Sequence, residues 1–85
     1  MYRSSEKYAV MAKVLEGDIY HHYFVGKRSH IDDEDCVPDM TDNIDDAFIF
    51  TDMHEAFDVV YKLPLEWWQL CWVYRVEYAF KEVWM

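Results

Sequence analysis

Residues 65–85 read LEWWQLCWVYRVEYAFKEVWM, and whether they form a strand or a helix decides the fold. With a period of two, Trp72, Tyr74, Val76, Tyr78 and Phe80 share one face, against Val73, Arg75, Glu77, Ala79 and Lys81 on the other. With a helical period, Leu65, Trp68, Trp72, Val76, Ala79 and Val83 make a stripe and the remaining aromatics are left outside. Aromatic and β-branched residues dominate and the alternation is cleaner, so a long strand is the preferred reading and a helix its alternative.

Working outward from that block, residues 7–15, KYAVMAKVL, alternate and read as a strand buried mainly on one face. Glu16-Gly17-Asp18 has the length and the glycine of a hairpin turn, and residues 19–25, IYHHYFV, return as a second strand closed by Gly26-Lys27-Arg28. Residues 46–50, DAFIF, look like a short strand. Thr51 then serves as a helix N-cap, with Asp52 and Glu55 in the first turn, where the helix dipole favours anions. Met53, Ala56, Phe57 and Val60 fall on one face of that helix, and Pro64 stops it. The expected fold is α+β: a small two-layer sandwich, with an antiparallel sheet of three to four strands and one helix packed on a face, in the order β-β-loop-β-α-β. Residues 1–85 make one domain, and an acidic loop, 29–46, lies within it.

The chain holds 17 Asp plus Glu against 8 Lys plus Arg, a net charge of −9, yet 53% of it is apolar and 19% aromatic. An acidic disordered tail would lack the aromatics, and a protein that neutralises phosphates would not be acidic. Residues 1–28 balance at +2 and residues 62–85 at zero. The negative charge is therefore central: Asp32, Asp33, Glu34, Asp35, Asp39, Asp42, Asp45, Asp46, Asp52, Glu55 and Asp58 occur between Ser29 and Tyr61 with no Lys or Arg among them. Such a tract has no local cation to pair with and repels itself, so it reads either as a solvated loop or as a recognition surface for a basic partner.

Motifs for chemistry are sparse. His21 and His22 point to opposite faces of a strand and cannot share a metal, and His30, Asp32 and Cys36 lack zinc spacing. Counted from Asp32 or Asp33, a calcium loop would need glycine at Val37 or Pro38 and glutamate at Asn43 or Ile44, so that motif fails. Cys36 sits among carboxylates that disfavour its thiolate, and Cys71 lies in the aromatic block; both are expected as reduced thiols. Two glycines leave no phosphate-cradling loop. The expectation is a non-enzymatic protein with no catalytic residues, no metal and no cofactor. No apolar run is long enough for a membrane span and the N-terminal residues lack a signal-peptide core, so the expected location is the cytoplasm. The aromatic strand, with Trp72, Tyr74 and Tyr78, offers an unpaired edge for a partner or for homodimerisation.

In its size, its single acidic tract from Asp32 to Asp58, its want of catalytic motifs and the layout around residues 46–60, DAFIFTDMHEAFDVV, the chain resembles the small acidic anti-defence proteins of bacteriophages and mobile elements. These are the anti-CRISPR, anti-restriction and other DNA-mimic proteins. The resemblance implies an inhibitor that occupies a positively charged nucleic-acid channel of a host protein such as a CRISPR effector, in the host cytoplasm, without binding nucleic acid itself. Asp32, Asp33, Glu34, Asp35, Asp39, Asp42, Asp45 and Asp46 would contact its Lys and Arg. The alternative is an assembly module that dimerises through the aromatic C-terminal strand.

Overall fold

The computed structural model describes residues 6–31, 37–76 and 80–83. Strands β1 (Tyr8–Glu16), β2 (Ile19–Val25) and β3 (Met40–Thr41) are followed by a 3₁₀ turn at Ile44–Asp46. Helices α1 (Met53–Lys62) and α2 (Leu65–Trp68) come next, then strands β4 (Cys71–Val76) and β5 (Phe80–Glu82). The strands form one sheet in the order β3-β2-β1-β4-β5 with every neighbouring pair antiparallel. The α+β architecture with a helix packed on an antiparallel sheet is as expected; the sheet is wider than three or four strands because two short strands pair at its margins.

The hairpin β1–β2 turns at Gly17-Asp18, with Glu16 opposite Ile19 as the last pair. Gly17 has φ +65°, the positive value that a two-residue turn with glycine at its first central position demands. At the other end of β2, Gly26 is required by space. A Cβ there would stand 2.5 Å from the backbone oxygen of Asp39.

Along β1, Tyr8, Val10 and Ala12 join Val25, Cys71 and Val73 beneath Ala56, Phe57, Val59 and Val60 of α1. Ala9 and Met11 join Phe24, Tyr74 and Ala47 in a second cluster, against which Ile44 and Ile49 pack. The first five residues of β1 are thus buried on both faces, which corrects the one-faced expectation. Segment 44–49 supplies the second cover, and the alternation Tyr8 to Leu15 carries too few polar residues in its first half to announce a solvated face.

Two further expectations are corrected. Residues 46–50 are not a regular strand: Asp46 closes the 3₁₀ turn, and 47–50 meet the sheet, among the described residues, through the bridges Gly26–Ala47 and Tyr8–Phe50. Tyr8 and Phe50 exchange both backbone bonds at 2.8 Å, so the segment prolongs the sheet past the end of β2 without pairing along it. Residues 65–70 are helix and turn, not the start of a strand. Pro64 ends α1 and its carbonyl accepts from the N–H groups of Trp67 and Trp68, so the residue that stops one helix starts the next. The strand reading holds for 71–76 and 80–82.

Helix α1 begins one residue later than expected. The side chain of Asp52, not Thr51, accepts the His54 N–H at 2.8 Å. Burying Phe57 is worth about 3–5 kcal/mol as judged by truncation, against about 1 kcal/mol for such a cap. Packing therefore decides that this helix forms, and the cap decides where.

Candidate interaction surface

Four of the eight predicted partner-binding acids are described: Asp39, Asp42, Asp45 and Asp46, all exposed. Asp32, Asp33, Glu34 and Asp35 lie outside the described residues, as does Cys36. His30 and Val37, which flank them in the sequence, exchange two backbone bonds of 2.9 Å.

The backbone of residues 39–46 is pinned at almost every step. The Asp39 N–H donates to Ser29 Oγ at 2.7 Å and its carbonyl accepts the Gly26 N–H at 2.9 Å. Asn43 N–H donates to Thr41 Oγ1 at 3.1 Å, and Asn43 Oδ1 accepts the Asp45 N–H at 3.0 Å. The Asp46 carbonyl accepts the Lys27 N–H at 2.8 Å. These bonds use backbone atoms of Asp39, Asp45 and Asp46 and leave the four carboxylates exposed. Among the described residues, none of the four is in an ion pair.

Folding also brings cations to the tract that the linear sequence withheld. A concavity of about 360 Å³ has Asp39 and Asp46 beside Lys27 and Arg28, over Met40 and Thr41. Asp58 pairs with Lys62 one helical turn on, at 3.0 Å. The acids on α1 form a separate group: Glu55, Asp58 and Lys62 rim a groove of about 300 Å³ with Ile31, Phe48, Phe50 and Val59 among its lining. Among the described residues, the acids of the tract therefore lie on two surfaces, one on α1 and one across the end of β2 and β3.

Two of the three predicted interface aromatics, Trp72 and Tyr74, are described, both on β4. β4 is flanked by β1 and β5, so it is not the sheet edge. Tyr74 is 6% exposed within the second cluster, with Lys13 Nζ 5.8 Å from its ring centroid. Trp72 is half-buried, meets Phe57 edge-on at 5.2 Å and donates from Nε1 to the Val83 carbonyl at 2.6 Å. Tyr78 lies outside the described residues.

The apolar residues that stay exposed are ones the sequence reading passed over. Leu15, Ile19 and Tyr20 are 56%, 65% and 63% exposed at the free end of the hairpin, and Leu65, Trp68 and Leu70 are exposed around α2. A signal was available. Lys13, Glu16, Asp18, His21 and His22 put polar groups on both faces of the hairpin tip, as a ribbon standing clear of the core requires.

On that ribbon Glu16 serves two partners, His21 Nε2 at 3.4 Å and the Tyr23 hydroxyl at 3.5 Å. The negative charge of Glu16 is the main cause that lifts the Tyr23 hydroxyl above its ordinary pKa, with Asp42 adding in the same direction. His21 stands opposite Val14 and His22 opposite Lys13, on opposite faces. Cys71 is buried in the first core cluster. Among the described residues no helix is long and apolar enough to cross a membrane. No protein-family model matches the chain, and no curated protein or solved structure matches it either.

Proposed function

We propose that this protein acts by binding, as a non-enzymatic inhibitor that sets the acidic surface 39–46 against the basic groove of a nucleic-acid-processing host protein. The observation that carries this reading is the array of four outward carboxylates on a backbone pinned by its own hydrogen bonds. A groove built for a polyanion with one charge per ~1.7 Å of duplex axis attracts such an array through the same field. Little entropy is lost on binding because the segment is already ordered.

Capture from a bacterial lysate tests it, with wild-type protein beside a variant carrying Asn at positions 39, 42, 45 and 46. The substitutions spare every backbone bond named above, so the fold is retained. The expected result is a nucleic-acid-binding protein held by the wild type, released by added duplex DNA and retained at least about tenfold less by the variant, roughly 1.4 kcal/mol. Capture that neither DNA nor the four substitutions disturb contradicts the proposal.

A second reading, an assembly module, draws on Leu15, Ile19 and Tyr20, large apolar side chains left in solvent on an acidic chain. The surface for that role is the hairpin, beside the C-terminal aromatic block, of which β4 lies inside the sheet and β5 at its margin.

A further inference from the structure

The hydrogen-bond register of the sheet shows which backbone groups of β2 face outward. Gly26 donates away from β1, to Asp39 at the β3 margin. With the alternation of an antiparallel ladder, the N–H and C=O groups of Phe24, His22 and Tyr20 face that same margin. β3 pairs only with Phe24 and Val25. After Thr41 the chain bends at Asp42 and enters the 3₁₀ turn, so among the described residues no strand lies beside Ile19–Tyr23. Tyr20 and His22 thus present two N–H and two C=O groups on a free edge.

Free edges are ordinarily blunted by charge, by proline or by a bulge. The other open margin of this ribbon conforms: β4 reaches β1 only as far as Ala12, and the next residue is Lys13. The β2 margin does not. Residues 19–23, IYHHY, hold no Lys, Arg, Asp, Glu or Pro and include Ile19 and Tyr20, among the most exposed apolar side chains described.

We propose that a second copy of this chain pairs antiparallel with that edge, β2 against β2, about a two-fold axis through His21. Outward groups must meet outward groups, and centring on His21 satisfies this: Tyr20 faces the partner's His22, and His22 faces the partner's Tyr20, giving four backbone bonds. Ile19 then lies opposite the partner's Tyr23. One residue further, Asp18 would meet the position where β3 already pairs with Phe24, so the pairing ends where the free edge ends. The stretch is self-complementary in length as well as in register, the property that an isologous contact needs. Local charge agrees. The ribbon 13–23 carries Lys13 against Glu16 and Asp18, near neutrality on a chain of −9. The remaining acids of both copies still repel at long range, so salt strengthens this association, opposite to its effect on binding a basic partner.

Sedimentation equilibrium over a range of concentrations tests the pairing, with His22→Pro as the principal variant. Proline removes an N–H that points outward and is tolerated on an edge strand, so the circular dichroism spectrum stays that of the wild type. The wild type is expected to shift from monomer to twice the monomer mass as concentration rises, more readily at high salt, while His22→Pro stays monomeric. Independently of that variant, His21→Cys is expected to form a disulfide with its own copy under mild oxidation, mapped by mass spectrometry apart from Cys36 and Cys71. Opposed Cα atoms at a non-hydrogen-bonded pair are about 4.5 Å apart, within disulfide reach. A wild type that stays monomeric throughout overturns the proposal, as does a dimer that survives His22→Pro and gives no link at position 21. The four-Asn variant of the acidic surface dimerises at least as well as the wild type, so failure of the acidic reading and failure of this one are told apart.

Discussion

Tyr23 shows how single residues on this fold acquire properties their sequence neighbours do not announce. Its hydroxyl meets Glu16 across the hairpin, seven positions away, and Asp42 after β3 adds to the same field. The folded chain holds the Tyr23 proton to higher pH than the unfolded chain does. The associated stabilisation is complete below the ordinary value of 10.0 and is lost as pH rises through the folded value. Ultraviolet titration of the wild type minus Tyr23→Phe is expected to place this ionisation above 10.0, and Glu16→Gln to bring it down. An unchanged midpoint in Glu16→Gln contradicts the assignment of Glu16 as the main cause. None of this was legible beforehand, because it depends on hairpin register and on where β3 ends.

At the scale of elements, the helix face Ala56, Phe57 and Val60 and the Gly17 turn were readable because spacing and glycine each have one physical solution there. Residues 65–70 were not, because Trp and Leu serve a helical turn or a strand equally well; in the fold the Pro64 carbonyl accepts from Trp67 and Trp68, and Trp67 meets Tyr23 with centroids at 6.5 Å. The choice between Thr51 and Asp52 as N-cap was likewise open, since both side chains can accept the same kind of bond. Asp52→Ala is expected to lower stability by about 1 kcal/mol, read as a shift in the urea midpoint at unchanged slope. Thr51→Ala is expected to cost a small fraction of that. Equal losses from the two contradict the observed cap.

At the scale of the molecule, the described acids of the tract turn from a line of charge into two surfaces, on a scaffold that buries Tyr8, Phe24, Phe50, Phe57 and Tyr74. Trp72 and Tyr74 pack within the fold, and the exposed large apolar side chains include Leu15, Ile19 and Tyr20 on the hairpin and Leu65, Trp68 and Leu70 around α2. The sequence showed how much charge there is and that it is confined; it did not show that Lys27 and Arg28 fold back beside Asp39 and Asp46. The central claim is that 39–46 binds a basic groove through its carboxylates. The measurement that reaches it most directly is the salt dependence of affinity for the captured partner. Between about 50 and about 500 mM salt, screening predicts that affinity for the wild type falls steeply and that the slope is much shallower for the four-Asn variant. An affinity that is flat across that range, with equal slopes for the two proteins, contradicts it.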